Sequence, residues 1–168
     1  MISRRNILLG STGAIAAVTA LRWGSASDAA PAGKFEIEKS DDEWRRLLTP
    51  AQYDVLRKHG TERAGTSPLN AEKRKGTFAC AGCDLPLFSS DTKYESGTGW
   101  PSFWQPLANA LGTTVDKSFF MTRTEVHCRR CGGHLGHVFE DGPKPTGLRY
   151  CMNGVALKFI PGAASGPA

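Results

Sequence analysis

The 168-residue sequence has no uninterrupted apolar run of the ~20 residues that a membrane span needs. Its first apolar stretch, Ile7 to about Leu21, is broken by Gly10, Ser11, Thr12 and Gly13, which argues against a transmembrane anchor. The strand–helix alternation of βαβ units is missing too, and with it the usual setting of a C-x-x-C redox motif. A large excess of either charge is absent as well. The formal balance of +5, with a pI near 9.1, falls to +3 beyond residue 32, because residues 1–32 carry Arg4, Arg5 and Arg22 against Asp28. So small an excess gives no reason to expect nucleic acid as a partner. No repeat is visible beyond a duplicated C-x-x-C, and nothing supports a second core, so one domain plus an appendage accounts for the length. The 19 glycines and 10 prolines favour strands, turns and loops over a helical bundle.

What the chain does have is five cysteines in a telling arrangement. Cys80-Ala81-Gly82-Cys83 and Cys128-Arg129-Arg130-Cys131 are two C-x-x-C pairs with 44 residues between them, and Cys151 stands alone. Four thiolates paired in this way close a tetrahedral site at about 2.3 Å from one structural Zn2+. Two disulfides or a redox dithiol are the alternatives. If Cys80, Cys83, Cys128 and Cys131 hold metal, Cys151 is the one thiol left free to react.

The N-terminus reads as an export signal: a positive start with Arg4-Arg5, a short apolar stretch and a small-residue region from Gly24 to Ala32. The paired arginines followed by Asn6, Ile7 and Leu8 resemble the twin-arginine class. Both Ala30-Pro31-Ala32 and Ser27-Asp28-Ala29 satisfy the cleavage pattern. That route exports folded protein, which suits a four-thiolate site loaded where thiols stay reduced, and it predicts a periplasmic or otherwise exported bacterial enzyme. Residues 33–39 read as a linker, 40–161 as the folded domain and 162–168 as a flexible tail.

Within the domain, Ser40-Asp41-Asp42-Glu43 is a capping box ahead of Trp44, Leu47 and Leu48, spaced for one helix face. A second box follows, with Thr49 as N-cap, Pro50 first in the helix, Gln52 closing the box and Gly60 as the stop. Beyond Gly76 the expected elements are short antiparallel strands: Gly76–Ala79, Met121–His127, Gly136–Phe139 and Leu148–Ile160. The fold class is mainly β.

In a strand around Cys151, period two puts Arg149, Cys151 and Asn153 on one face and Leu148, Tyr150 and Met152 on the other. A cysteine between a guanidinium and an amide is poorly placed as apolar filler, and Arg149 favours its nucleophilic thiolate. His134 and His137 follow the second cysteine pair and are candidate proton donors, or one of them a metal ligand. Three apart in a regular strand they face opposite ways, so both reach one pocket only if Gly136 bends the chain. The aromatic loop Gly97-Thr98-Gly99-Trp100-Pro101-Ser102-Phe103-Trp104 is core by default. Beside a reactive thiol, it suits a small apolar group attached to sulfur.

These residues, with Arg123-Thr124-Glu125-Val126, His134-Leu135-Gly136-His137-Val138-Phe139, Asp141-Gly142-Pro143 and Gly147-Leu148-Arg149-Tyr150-Cys151-Met152-Asn153, closely resemble the B-type methionine sulfoxide reductases, which act on the R epimer. The likeness runs from about Glu43 to Pro161. It implies two small antiparallel sheets with short N-terminal helices and one structural zinc. It also implies that Cys151 is the nucleophile, that Trp100 packs on the substrate methyl, and that His134, His137, Arg149 and Asn153 line the pocket, with Phe139 as a further wall. The expected partners are oxidised proteins and a thioredoxin-like or other thiol reductant, and the expected state is a monomer. Many family members have a resolving cysteine where this chain has Thr98, so a sulfenic acid on Cys151 is expected to be reduced directly by an external thiol. The competing classes are a zinc-ribbon binding module with an inert Cys151, and a thiol peroxidase, which needs no methyl pocket.

Overall fold

Ser40 and Thr49 each start a helix. The structure is a computed structural model that describes residues 35–162; the expected signal over 1–32 and the tail beyond Gly162 lie outside the described residues. Helix α1 spans Asp41–Leu47, and α2 spans Pro50–Lys58. In α1 the Ser40 hydroxyl accepts from Glu43 N at 3.3 Å while Ser40 N donates to the Glu43 carboxylate at 2.7 Å. Thr49 and Gln52 repeat the exchange in α2 at 3.2 and 3.0 Å. Each box satisfies N–H groups that a helix start leaves without partners. Trp44 and Leu48 are buried as expected, but Leu47 is 61% exposed, because α1 ends there and Leu48 turns extended. The stop of α2 falls at His59, in the left-handed region with φ 57°, rather than at Gly60.

Nine strands follow among the described residues: β1 Gly76–Cys80, β2 Pro86–Ser89, β3 Lys93–Tyr94, β4 Ser102–Phe103, β5 Leu111–Asp116, β6 Arg123–Cys128, β7 His134–Phe139, β8 Arg149–Met152 and β9 Leu157–Pro161. They form two antiparallel sheets, one ordered β2-β1-β9 and the other β3-β4-β8-β7-β6-β5. This is the expected mainly-β architecture of two sheets behind two short helices.

The expected single strand from Leu148 to Ile160 is two strands in different sheets. After Met152 the chain enters a turn over Gly154–Ala156, and the Glu62 carboxylate accepts from the N–H groups of Gly154 and Val155. Those two donors are thereby taken from any ladder, and the chain crosses from β8 to β9. The crossing lets one covalent segment hold both sheets.

Aromatic rings fill the gap between the sheets. Phe88 on β2 stacks on Phe103 of β4 at 4.2 Å and 14°, and Phe78 on β1 meets Phe103 edge-on at 4.9 Å. All three are fully buried. Each such ring contributes about 1.5–3 kcal/mol by burial, with roughly 0.5–1.5 more per aromatic pair. Phe103 of the aromatic loop is thus core, whereas Trp100 stays half-buried at the surface.

Residues 35–39, read from sequence as a linker, lie along the second cysteine pair. Ile37 N donates to Arg130 O at 3.0 Å, and Glu36 pairs with Arg129 and Arg130.

Candidate active site and metal centre

The two C-x-x-C pairs fold into the same turn. In the first, Cys80 N donates to Leu85 O, and Asp84 N donates back to Cys80 O. In the second, Cys128 N donates to Gly133 O, and Gly132 N to Cys128 O. The residue after each pair, Asp84 or Gly132, takes positive φ to close the turn. The first turn joins β1 to β2 and the second joins β6 to β7, so the sulfurs meet where the two sheets abut.

Cys80 and Cys131 sulfurs are 3.7 Å apart, Cys83 and Cys128 sulfurs 3.5 Å, and all four lie within 4.8 Å of one another. An ion about 2.3 Å from four tetrahedral sulfurs requires S···S separations of roughly 3.8 Å, so the set fits a metal of zinc size. All four are free thiols rather than disulfides. Arg57 of α2 donates to Cys131 O at 2.9 Å, fastening the helix to the centre.

β7 starts three residues beyond Cys131 and carries both histidines. Pairing with β6 joins Val126 to Gly136 and His127 to His134, which leaves Leu135 as an extra residue: a bulge. The bend that the two histidines need is therefore present, and it brings the His134 and His137 rings to 5.5 Å, edge to face. Gly136 is required there. Its φ is 155°, and a Cβ on it would stand 2.1 Å from Cys151 O.

Cys151 lies on β8 directly opposite His137 of β7 and Ser102 of β4. Cross-strand partners in an antiparallel sheet share a face, with Cβ atoms about 4.5–5.5 Å apart, so the Cys151 and His137 side chains leave the same face from neighbouring positions. A run of hydroxyls reaches the sulfur from the other flank. Thr98 Oγ1 is 3.8 Å from Cys151 Sγ, Ser96 is 2.9 Å from Thr98, and Ser102 is 2.7 Å from Ser96.

Burial pushes the Cys151 thiol up from its ordinary value, and the Thr98 hydroxyl and Arg149 charge offset this only in part. The expectation that Arg149 secures the thiolate is therefore met only weakly. Its guanidinium is held by both oxygens of Asp141, at 2.8 and 2.7 Å, and lies 4.3 Å over the Phe139 ring. Burial likewise lowers His137, with the Asp116 hydrogen bond at 2.7 Å opposing. The Ser118 hydroxyl and N–H hold Asp116 well below the usual carboxylate range, helped by His137 and Arg123. At neutral pH the free site thus keeps one proton on sulfur beside a neutral imidazole that is oriented by a carboxylate.

The other predicted site residues are deployed unequally. Trp100 donates its Nε1–H to Glu62 O at 3.1 Å, which fixes the indole at the rim. Asn153 is buried, and both ends of its amide are taken: Oδ1 accepts from Glu62 N at 2.9 Å, and Nδ2 donates to Leu135 O at 3.1 Å. It clamps the turn after Cys151 to the bulge. His134 is buried at 2% exposure with Nδ1 2.8 Å from Glu125, so it supports His137 from behind. A cavity of about 530 Å³ opens between α2 and the Gly154 turn, and Cys151 is not among its lining residues.

Residues 48–161 match the SelR domain. The chain belongs to the SelR family. This SelR chain is 57% identical over 126 residues to "Peptide methionine sulfoxide reductase MsrB" of Leptospira interrogans, a match covering 74% of this chain and 96% of that protein. The MsrB of Pseudomonas putida is 57% identical over 127 residues, covering 75% and 96%. "Peptide methionine sulfoxide reductase B1, chloroplastic" of Arabidopsis thaliana is 50% identical over 142 residues, covering 80% and 70%.

Sequence reasoning passed over four carboxylates that organise this SelR site. Asp116 and Glu125 hold the two histidines, Asp141 holds Arg149, and Glu62 holds the Gly154 turn with its carboxylate and Trp100 and Asn153 with its backbone. Glu125 and Asp141 lay inside recognised motifs, but nothing local tells a carboxylate that orients a site from one on a solvated face.

Proposed function

We propose that this chain reduces the R epimer of methionine sulfoxide in proteins to methionine, with Cys151 as nucleophile. The carrying observation is the pairing of Cys151 with His137 across β7 and β8, in a chain of the SelR family. When the sulfoxide binds, the proton on Cys151 passes by way of His137 to the sulfoxide oxygen as sulfur attacks sulfur. The methionine S–O bond breaks, the oxygen ends on Cys151 as a sulfenic acid carrying that proton, and methionine leaves reduced by two electrons. The Asp116 hydrogen bond to Nε2 fixes the orientation of the imidazole, and Trp100 offers an apolar face to the methyl group.

Cys151 stands outside the four-sulfur cluster, and Thr98 sits beside it. The sulfenic acid is therefore reduced by an external thiol, of thioredoxin or another reductant, without an internal disulfide. The four cysteines hold a structural Zn2+ that ties the sheets together and takes no part in the chemistry. Export by the twin-arginine route is supported by Arg4-Arg5 and by the need to load a four-thiolate site where thiols stay reduced. Fractionation that leaves the protein in the cytoplasm with residues 1–32 attached would refute that placement.

Turnover of separated R and S epimers of a methionine sulfoxide peptide tests the activity. Wild type should consume R alone, and Cys151→Ser neither. Equal rates on both epimers, or consumption of hydrogen peroxide in their place, would remove the reductase assignment. Mass spectrometry after one equivalent of substrate should show one added oxygen on Cys151; a bridge from Cys151 to any other cysteine would overturn the one-cysteine cycle.

A further inference from the structure

Among the described residues, a second group of metal-ligating side chains stands apart from the four cysteines. Glu125 Oε1 lies 2.8 Å from His134 Nδ1 and 3.2 Å from His59 Nδ1, and the two rings are 5.1 Å apart. An ion about 2.0–2.1 Å from imidazole nitrogen and carboxylate oxygen needs tetrahedral ligand atoms roughly 3.3 Å apart, so small ring rotations bring all three into range.

Three different elements contribute. Glu125 comes from β6, His134 from the bulge of β7, and His59 from the left-handed cap of α2, where its N–H is bound to Asp54 O. The His59 side chain is 64% exposed, whereas Glu125 and His134 are 10% and 3%. The cluster thus has two buried ligands and one at the surface, which gives an ion a route in. Two imidazoles and a carboxylate suit zinc, nickel or copper rather than magnesium or calcium, and leave a position for water. Both Nδ1 atoms now face one acceptor oxygen, so each carries a proton that an ion would replace.

We propose that His59, Glu125 and His134 form a second metal site for a divalent transition ion such as Zn2+, and that its occupancy suppresses turnover by drawing the His134 ring away from His137. The binding half stands on geometry alone; the inhibitory half rests on the reductase reading.

Zinc per chain, measured on the full chain after dialysis against micromolar Zn2+, tests the site. A Cys151→Ser background keeps the free thiol from acting as a ligand. Two ions per chain are expected, falling to one with His59→Asn, a residue that also tolerates left-handed backbone. One ion per chain without the His59 change, or two with it, overturns the site. With Cys151 intact, zinc should lower turnover at least tenfold, and His59→Asn should relieve this with basal activity unchanged. Inhibition that persists in His59→Asn arises at Cys151 and overturns the regulatory half. A wild type inactive on the R epimer even without added zinc defeats the reductase reading, while the metal count still decides the site.

Discussion

Gly136→Ala tests whether the bulge of β7 is what joins imidazole to sulfur. The new Cβ would meet Cys151 O at 2.1 Å and Met152 Cα at 3.1 Å, whereas real Cβ atoms essentially never come closer than 3.0 Å. Both neighbours are backbone of β8, so relief requires β7 and β8 to separate by about 0.9 Å. Overpacking of this kind costs roughly 1–3 kcal/mol, and a strained backbone region another 1–3. We expect a loss of about 2–6 kcal/mol in urea unfolding. The separation falls at the His137–Cys151 pair, and a misplacement near 1 Å costs about 100-fold in rate. The activity of the folded fraction should therefore drop by about two orders of magnitude. Gly65→Ala is the control: φ is 80° there, but nothing lies within 4 Å of the added atom, so only about 1–2 kcal/mol of backbone strain and no loss of activity are expected. Equal effects of the two substitutions, or near wild-type activity in Gly136→Ala, would refute the close approach as the source of the site geometry.

Removing the metal with a strong chelator should unfold both sheets together, read as a cooperative loss of near-ultraviolet circular dichroism, because binding energy at a closed four-thiolate site is folding energy. Loss of activity with both sheets intact would show that the metal does not staple them. Alkylation of Cys151 should rise with pH well past neutrality, since burial raises its thiol; Thr98→Val, which removes a hydroxyl that lowers it, should shift the profile to still higher pH. An unmoved profile would exclude Thr98 from sulfur stabilisation. Burial pushes Glu125 up, but the His134 hydrogen bond and the charges of His134 and His59 more than offset it, so its folded value lies below the ordinary 4.5. The stability it contributes is present above that ordinary value and is lost as pH falls through the folded one. Glu125→Gln should therefore flatten the acid limb of the stability profile, and an unchanged limb would place the acid sensitivity elsewhere.

The features legible in the chain were those whose chemistry is local. A capping box spans four residues, so Ser40–Glu43 and Thr49–Gln52 announced both helices. A C-x-x-C turn presents two thiolates by itself, and counting then isolated Cys151. The three-residue spacing of the histidines showed only that a bend at Gly136 is the condition for both to face one way, and the pairing of β7 with β6 supplied it. What remained hidden depended on partners far along the chain. Strands β3 and β4, two residues each, show no period of their own and exist because β8 supplies a ladder for β4, and β4 in turn one for β3. The break at Gly154 depends on Glu62, 92 residues earlier. Arg149 was read as an activator of Cys151, yet Asp141 claims its guanidinium, and burial, which no window of sequence displays, leaves the thiol protonated at rest. Residue types and short spacings determined which groups this protein can use. Tertiary packing alone decided which carboxylate holds each one and how much water it keeps, because those interactions run between strands that meet only after the sheets close.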